Sequence, residues 1–116
     1  MRIVSTKTHG VLDYLTGAAL LAAPKALGLD DVPSSSRALK LAGGGATAYS
    51  LLTDYELGAA KLLPMPVHLA LDAASGALLA SSPWLFGFAR YGGRYWLLHV
   101  FVGAQEILAA ATTKTR

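Results

Sequence analysis

The residues of this 116-residue chain best suited to chemistry recur at a fixed spacing. His9 and Asp13 are four residues apart with Gly17 four further on, and the series returns as His68, Asp72 and Gly76. Positions i, i+4 and i+8 share one face of an α-helix, so each triplet predicts a polar stripe on a helix. The closing glycine lets a neighbouring backbone come near, which turns the stripe toward protein. Glu106 in the last apolar segment and Tyr49 in the second are expected at the same depth. His9, Asp13, His68, Asp72, Glu106 and Tyr49 then line one polar core.

Two imidazoles and three carboxylates at one level suit three kinds of chemistry. They could hold a divalent metal, with His9, Asp13, His68, Asp72 and Glu106 as candidate ligands. They could relay protons, or grip a small polar ligand. The Glu-x-x-His spacing of paired-metal bundles does not occur in the chain. The competing reading is structural: each His donates to the Asp one turn away or to a neighbouring helix and pins the packing. Three function classes stay open, namely a ligand, metal or proton site, a non-catalytic membrane scaffold or accessory subunit, and a membrane enzyme with a carboxylate as general acid or base.

Other features carry less. Gly43-Gly44-Gly45 follows no strand and precedes no Lys-Ser or Lys-Thr, so it reads as a close-packing point or a weak spot in a helix rather than a phosphate loop. Ser75, His68 and Asp72 lie on one helix, which cannot aim a triad in the required order. His99, near Trp84 and Trp96, reads as a solvated or backbone-bonded histidine. With no cysteine, disulfides, thiolate chemistry and covalent haem attachment are excluded. The net charge of +3 is scattered in ones and twos, without the basic stripe that nucleic acid requires.

Four Ala- and Leu-rich apolar segments must position these residues: 8–27, 37–53, 66–88 and 95–113. Pro24 and Gly28 are expected to stop the first, and Ser34, Ser35 and Ser36 to cap the second. Pro64 and Pro66 open the third, Ser82-Pro83 closes its regular part, and Gly92-Gly93 makes the final turn. Loops of about 6 to 12 residues leave little room for a second domain. Hydrophobic residues are 53% of the chain and charged residues 15%, below the roughly 25% of soluble domains. That composition predicts an all-α integral membrane four-helix bundle. Asp13, Asp72 and Glu106 interrupt the segments, so a soluble Ala-rich bundle is the rival.

Aligned on itself at an offset of 59, the chain matches His9, Asp13, Gly17, Pro24 and Gly28 to His68, Asp72, Gly76, Pro83 and Gly87. Five shared spacings mark a tandem two-helix repeat, about 5–57 and about 64–116 of a single membrane domain spanning 1–116. Gly44 against Gly103 and Lys40 against His99 are the second-helix matches. Two helices per repeat bring both copies in from the same side, about a pseudo-two-fold axis along the membrane normal. Basic residues balance at five per side, Arg2, Lys7, Lys61, Lys114 and Arg116 against Lys25, Arg37, Lys40, Arg90 and Arg94, so orientation is unassigned. The aromatics from Trp84 to Trp96, with Arg90 and Arg94, form an expected headgroup belt.

Ser82-Pro83-Trp84, at the end of the third segment, resembles the motif of the SPW repeat family, small prokaryotic membrane proteins whose repeat has two transmembrane helices. The first copy reads Ala23-Pro24-Lys25 instead. The resemblance implies a multi-pass protein of a prokaryotic inner or plasma membrane, and it carries no established activity, cofactor or catalytic residue. The expected partner is the lipid bilayer, and a homo-oligomer is compatible with helices this short.

Overall fold

The computed structural model describes residues 2–115; Met1 and Arg116, the latter counted above among the basic residues, lie outside it. Among the described residues the regular elements are four α-helices: α1 Thr6–Ala26, α2 Pro33–Leu51, α3 Met65–Leu85 and α4 Leu97–Thr112. No strand forms among the described residues, so the expected all-α architecture of four helices is present. Helices α1 and α2 pair as one hairpin and α3 and α4 as the next.

The helix starts differ from expectation where proline decides. Pro33 opens α2 four residues early because a first-turn proline loses no hydrogen bond and already has helical φ. Ser34, Ser35 and Ser36 therefore lie inside the helix, and the cap position is Val32. Ser35 donates to the Tyr95 carbonyl at 2.8 Å and Ser36 to Asp30 at 2.7 Å. Pro24 and Pro83 both sit within the last turns of their helices rather than ending them. The stop after α1 falls at Gly28, at φ +66°, where Arg94 donates to the Leu27 and Gly28 carbonyls at 3.0 and 2.8 Å. The guanidinium thereby satisfies orphan carbonyls at the negative end of the helix.

The hairpins close on paired glycines. A Cβ added to Gly43 would lie 2.9 Å from the Gly17 carbonyl oxygen, and one added to Gly76 would lie 2.7 Å from that of Gly103. Gly44 faces open space. The second helices of the two repeats therefore correspond at an offset of 60 rather than 59, pairing Gly43 with Gly103 and Leu39 with His99. The change of offset from 59 to 60 is a one-residue insertion in the stretch between α3 and α4, which folds into the 3-10 turns Phe88–Tyr91 and Gly93–Tyr95.

The repeat extends beyond the helices. Short bridges join Val4 to Thr113 and Thr53 to Leu63. Val4 and Leu63 each precede a helix by the same interval, and Thr53 and Thr113 each lie just after the end of a second helix. The segment leading into each first helix is thus tied to the end of the other repeat's second helix, closing the bundle into a ring. The apolar core, with Leu20, Leu39, Leu79 and Val102, fills the half of the bundle away from these bridges.

Among the described residues no helix is long and apolar enough to cross a membrane. Helix α4 has 16 residues, about 24 Å at 1.5 Å per residue, against a hydrocarbon core of about 30 Å. The longer helices carry polar side chains or runs of Gly and Ser.

A candidate metal centre of two histidines and two aspartates

In the first turns of α1 and α3 the two stripes face one another. His9 and His68 are buried, their rings edge to face at 5.3 Å. One ligand atom from each of His9, Asp13, His68 and Asp72 falls within 4.8 Å of the other three. The shorter contacts run between repeats: His9 Nε2 lies 2.6 Å from Asp72 Oδ2 but 3.1 Å from Asp13 Oδ1. His68 Nε2 lies 2.9 Å from Asp13 Oδ2 and 3.2 Å from Asp72 Oδ2. Pairing within one helix is the weaker set, and pairing to a neighbouring helix, which the structural reading also allows, is the stronger.

The outer nitrogen of each ring is fixed by a threonine. Thr53 Oγ1 donates to the Tyr49 carbonyl at 2.7 Å, and Thr113 Oγ1 donates to the Ala109 carbonyl at 2.6 Å. A hydroxyl has one proton to give. Each threonine oxygen must therefore accept from the imidazole it touches, His68 Nδ1 at 2.6 Å and His9 Nδ1 at 2.7 Å. With Nδ1–H committed outward, a neutral ring presents its Nε2 lone pair to the carboxylates. Lone pair against lone pair is repulsive unless a positive charge lies between them, either a proton on Nε2 that makes the ring an imidazolium donor or a metal ion.

His68 shows that mismatch most clearly. Its Nε2 is fully buried, with two carboxylate oxygens close by, yet no hydrogen bond is aligned to either. By contrast His9 Nε2 is hydrogen-bonded to Asp72.

Two tyrosines complete the shell. Tyr49 donates to Asp72 Oδ1, and Tyr55 donates to Asp13 Oδ2 at 2.8 Å. Burial pushes the Tyr55 hydroxyl above its ordinary range, so it stays protonated and a donor. Tyr55, which comes from the connection after α2, and the roles of Thr53 and Thr113 as ring anchors are absent from the sequence reading. Thr53 and Thr113 stand sixty residues apart, the second-helix offset, and that match is the signal that could have found them.

Glu106 is buried beside the four-residue cluster rather than within it. Its carboxylate accepts a long 3.4 Å contact from Ser75, and it borders a cavity of about 10 Å³ together with His9, Asp13 and Asp72. That volume holds about one water. A small organic ligand does not fit between the stripes in this conformation. At the matching position α2 has Ala46, so the site is symmetric in its four central residues and asymmetric at its edge.

His99 is buried at the opposite end of the bundle. Its Nε2–H donates to the Ser35 carbonyl at 2.9 Å, its Nδ1 has no partner among the described residues, and Phe88 packs against it. It is backbone-bonded and remote from the cluster.

Fold and site together define a class: an all-helical bundle of two tandem helical hairpins that share one His/Asp cluster at their junction. The chain belongs to the SPW repeat family, whose profile, described as the SPW repeat domain, matches residues 7–113. Comparison with curated proteins gives no significant match, and comparison with solved structures gives none. In the motif itself, Ser82 is buried and donates to the Leu79 carbonyl at 2.6 Å, while Trp84 leans against Trp96 with ring centroids 5.6 Å apart.

Proposed function

We propose that this chain is a small membrane-embedded protein whose two repeats clamp one divalent transition-metal ion between His9, Asp13, His68 and Asp72. The observation that carries the metal reading is the orphaned His68 Nε2, buried and facing two carboxylate oxygens while its Nδ1–H is held by Thr53. A metal-ligating histidine usually donates its far N–H to a carboxylate, carbonyl or water, and here a threonine hydroxyl takes that place. Two imidazole nitrogens and two carboxylate oxygens around a +2 ion sum to zero charge, which suits a buried site. Tetrahedral zinc with bonds of 2.0–2.2 Å has ligand edges of roughly 3.3 Å. The four N···O contacts of 2.6 to 3.2 Å need to open by roughly 0.1 to 0.7 Å to accept it.

Membrane residence is supported by the distribution of polarity. Leu15, Leu41, Leu78 and Phe101, one from each helix, each expose more than half of their surface, while the His/Asp cluster is inside. Exposed apolar side chains around a polar interior suit hydrocarbon, where ionisable groups point inward at partners. The short α4 is compatible with local bilayer thinning. The SPW resemblance points the same way.

Protein purified in detergent without chelators is expected to hold one metal ion per chain, lost in the Asp13→Asn, Asp72→Asn double variant. A single specific observation favours a second reading: the aligned 2.6 Å bond of His9 to Asp72 suits a metal-free ring of charge pairs that only staples the repeats. Under that scaffold reading the wild type is metal-free after purification and after incubation with zinc, and the double variant loses only thermal stability.

A further inference from the structure

The two repeats build matching apolar grooves at the end of the bundle away from the His/Asp cluster. One is lined by Ser34, Arg37, Ala38, Leu41 and Phe86, and the other by Arg94, Leu97, Leu98, Phe101 and Leu27. The lists correspond position for position: Ser34, Arg37, Ala38 and Leu41 with Arg94, Leu97, Leu98 and Phe101 at the offset of 60, and Phe86 with Leu27 at 59. Each groove has one arginine, supplied from a different lining position. The first groove is continuous with a second cavity of about 240 Å³ that shares Ala38, Leu41 and Phe86 and runs on past Leu78 to Ser75. Alanine lines it where leucine lines its twin, and it is the more enclosed slot, at about 240 Å³ against about 540 Å³ for the more open twin.

We infer that the groove between α2 and α3 holds one anionic phospholipid, its acyl chain along Ala38, Leu41 and Leu78 and its phosphate at Arg37. Charge complementarity selects this occupant. Asp30 and Asp31, in the loop before α2, are already engaged, Asp30 by Ser36 and Lys40 at 2.7 and 3.8 Å and Asp31 by Tyr95 at 2.7 Å. Arg37 is exposed beside an apolar slot, with neither carboxylate at its guanidinium. A guanidinium binds phosphate oxygens bidentately, and a chain-width apolar slot leading away from it fits the rest of such a lipid. In the twin groove Arg94 is spent on the Leu27 and Gly28 carbonyls, so the twin is expected to be weaker. Trp84, Tyr91 and Trp96 lie at the same end, as headgroup-level aromatics do.

This inference rests on the membrane reading and not on the metal. The test titrates detergent-purified protein with phosphatidylglycerol or phosphatidylcholine and counts retained lipids by native mass spectrometry. One phosphatidylglycerol is expected to survive delipidation with at least tenfold preference over phosphatidylcholine. Arg37→Gln should abolish the preference, and Ala38→Phe should reduce retention of both lipids. Inorganic phosphate at equal concentration should not displace the lipid; displacement would show a bare phosphate site and overturn the inference. Equal retention of the two lipids, or an Ala38→Phe variant that changes oligomeric state and leaves lipid retention unaltered, would overturn it too. Wild-type protein that is monodisperse in buffer without detergent would overturn the membrane reading itself, which separates the two failures.

Discussion

At the scale of single residues, the account turns on hydroxyls that no motif marks. Thr53→Val keeps the shape of the side chain and removes the acceptor that commits His68 Nδ1–H, and outer-shell losses of this kind typically cost 10–100-fold in metal affinity. Competition against a chromophoric chelator is expected to show a fall in that range for Thr53→Val and for Thr113→Val, with helical content unchanged. Equal affinity in wild type and both variants would mean that the threonines do not orient ligands. His9, Asp13, His68 and Asp72 were legible in the sequence because duplication printed the same spacing twice. Tyr55 was not, since its bond to Asp13 spans 42 residues and depends on how the connection after α2 folds back. Glu106 was placed at the right depth by helix direction, but depth says nothing of which way a side chain turns.

Glycine sorts the same way at the scale of elements. Gly43 and Gly103 lie where two helices cross at backbone distance, whereas Gly44 and Gly45 meet nothing within 4 Å. Gly43→Ala is expected to destabilise the protein by about 1–3 kcal/mol through overpacking against Gly17 and Leu20. Gly44→Ala should instead stabilise by about 0.5–1 kcal/mol, because an open helical site gains only from reduced chain entropy. Thermal midpoints in one detergent check both, and a loss for Gly44→Ala as large as for Gly43→Ala would contradict the crossing. The triplet was legible as either a packing point or a weak spot. The structure makes it both, one glycine of the first kind followed by two of the second. Helix boundaries were legible at α1 and α3, where proline and glycine act locally. The start of α2 was not, because Pro33 at the first helical position outweighs three good capping serines.

At the scale of the whole molecule, the two repeats share one centre that neither can complete alone. Each hairpin supplies one histidine and one aspartate, and the threonine that orients each ring belongs to the other repeat: Thr53 of the first holds His68, and Thr113 of the second holds His9. An ion that binds only the folded form stabilises it by about 2.7 kcal/mol at a hundredfold excess over Kd. Zinc is therefore expected to raise the thermal midpoint of the wild type by several degrees, and not that of the double aspartate variant. A midpoint shift of the same size in both would assign the effect to surface binding. The exchange also explains why the architecture was legible as a repeat while the linkage was not: an internal alignment shows what recurs, not which copy reaches into which.

The most direct measurement is metal-edge X-ray absorption on the zinc-loaded wild type in detergent. Four nitrogen or oxygen neighbours at about 2.0–2.2 Å, with the outer-shell scattering of two imidazole rings, are expected. Six oxygen neighbours without imidazole scattering, or no zinc retained after buffer exchange, would contradict a metal held between the two stripes.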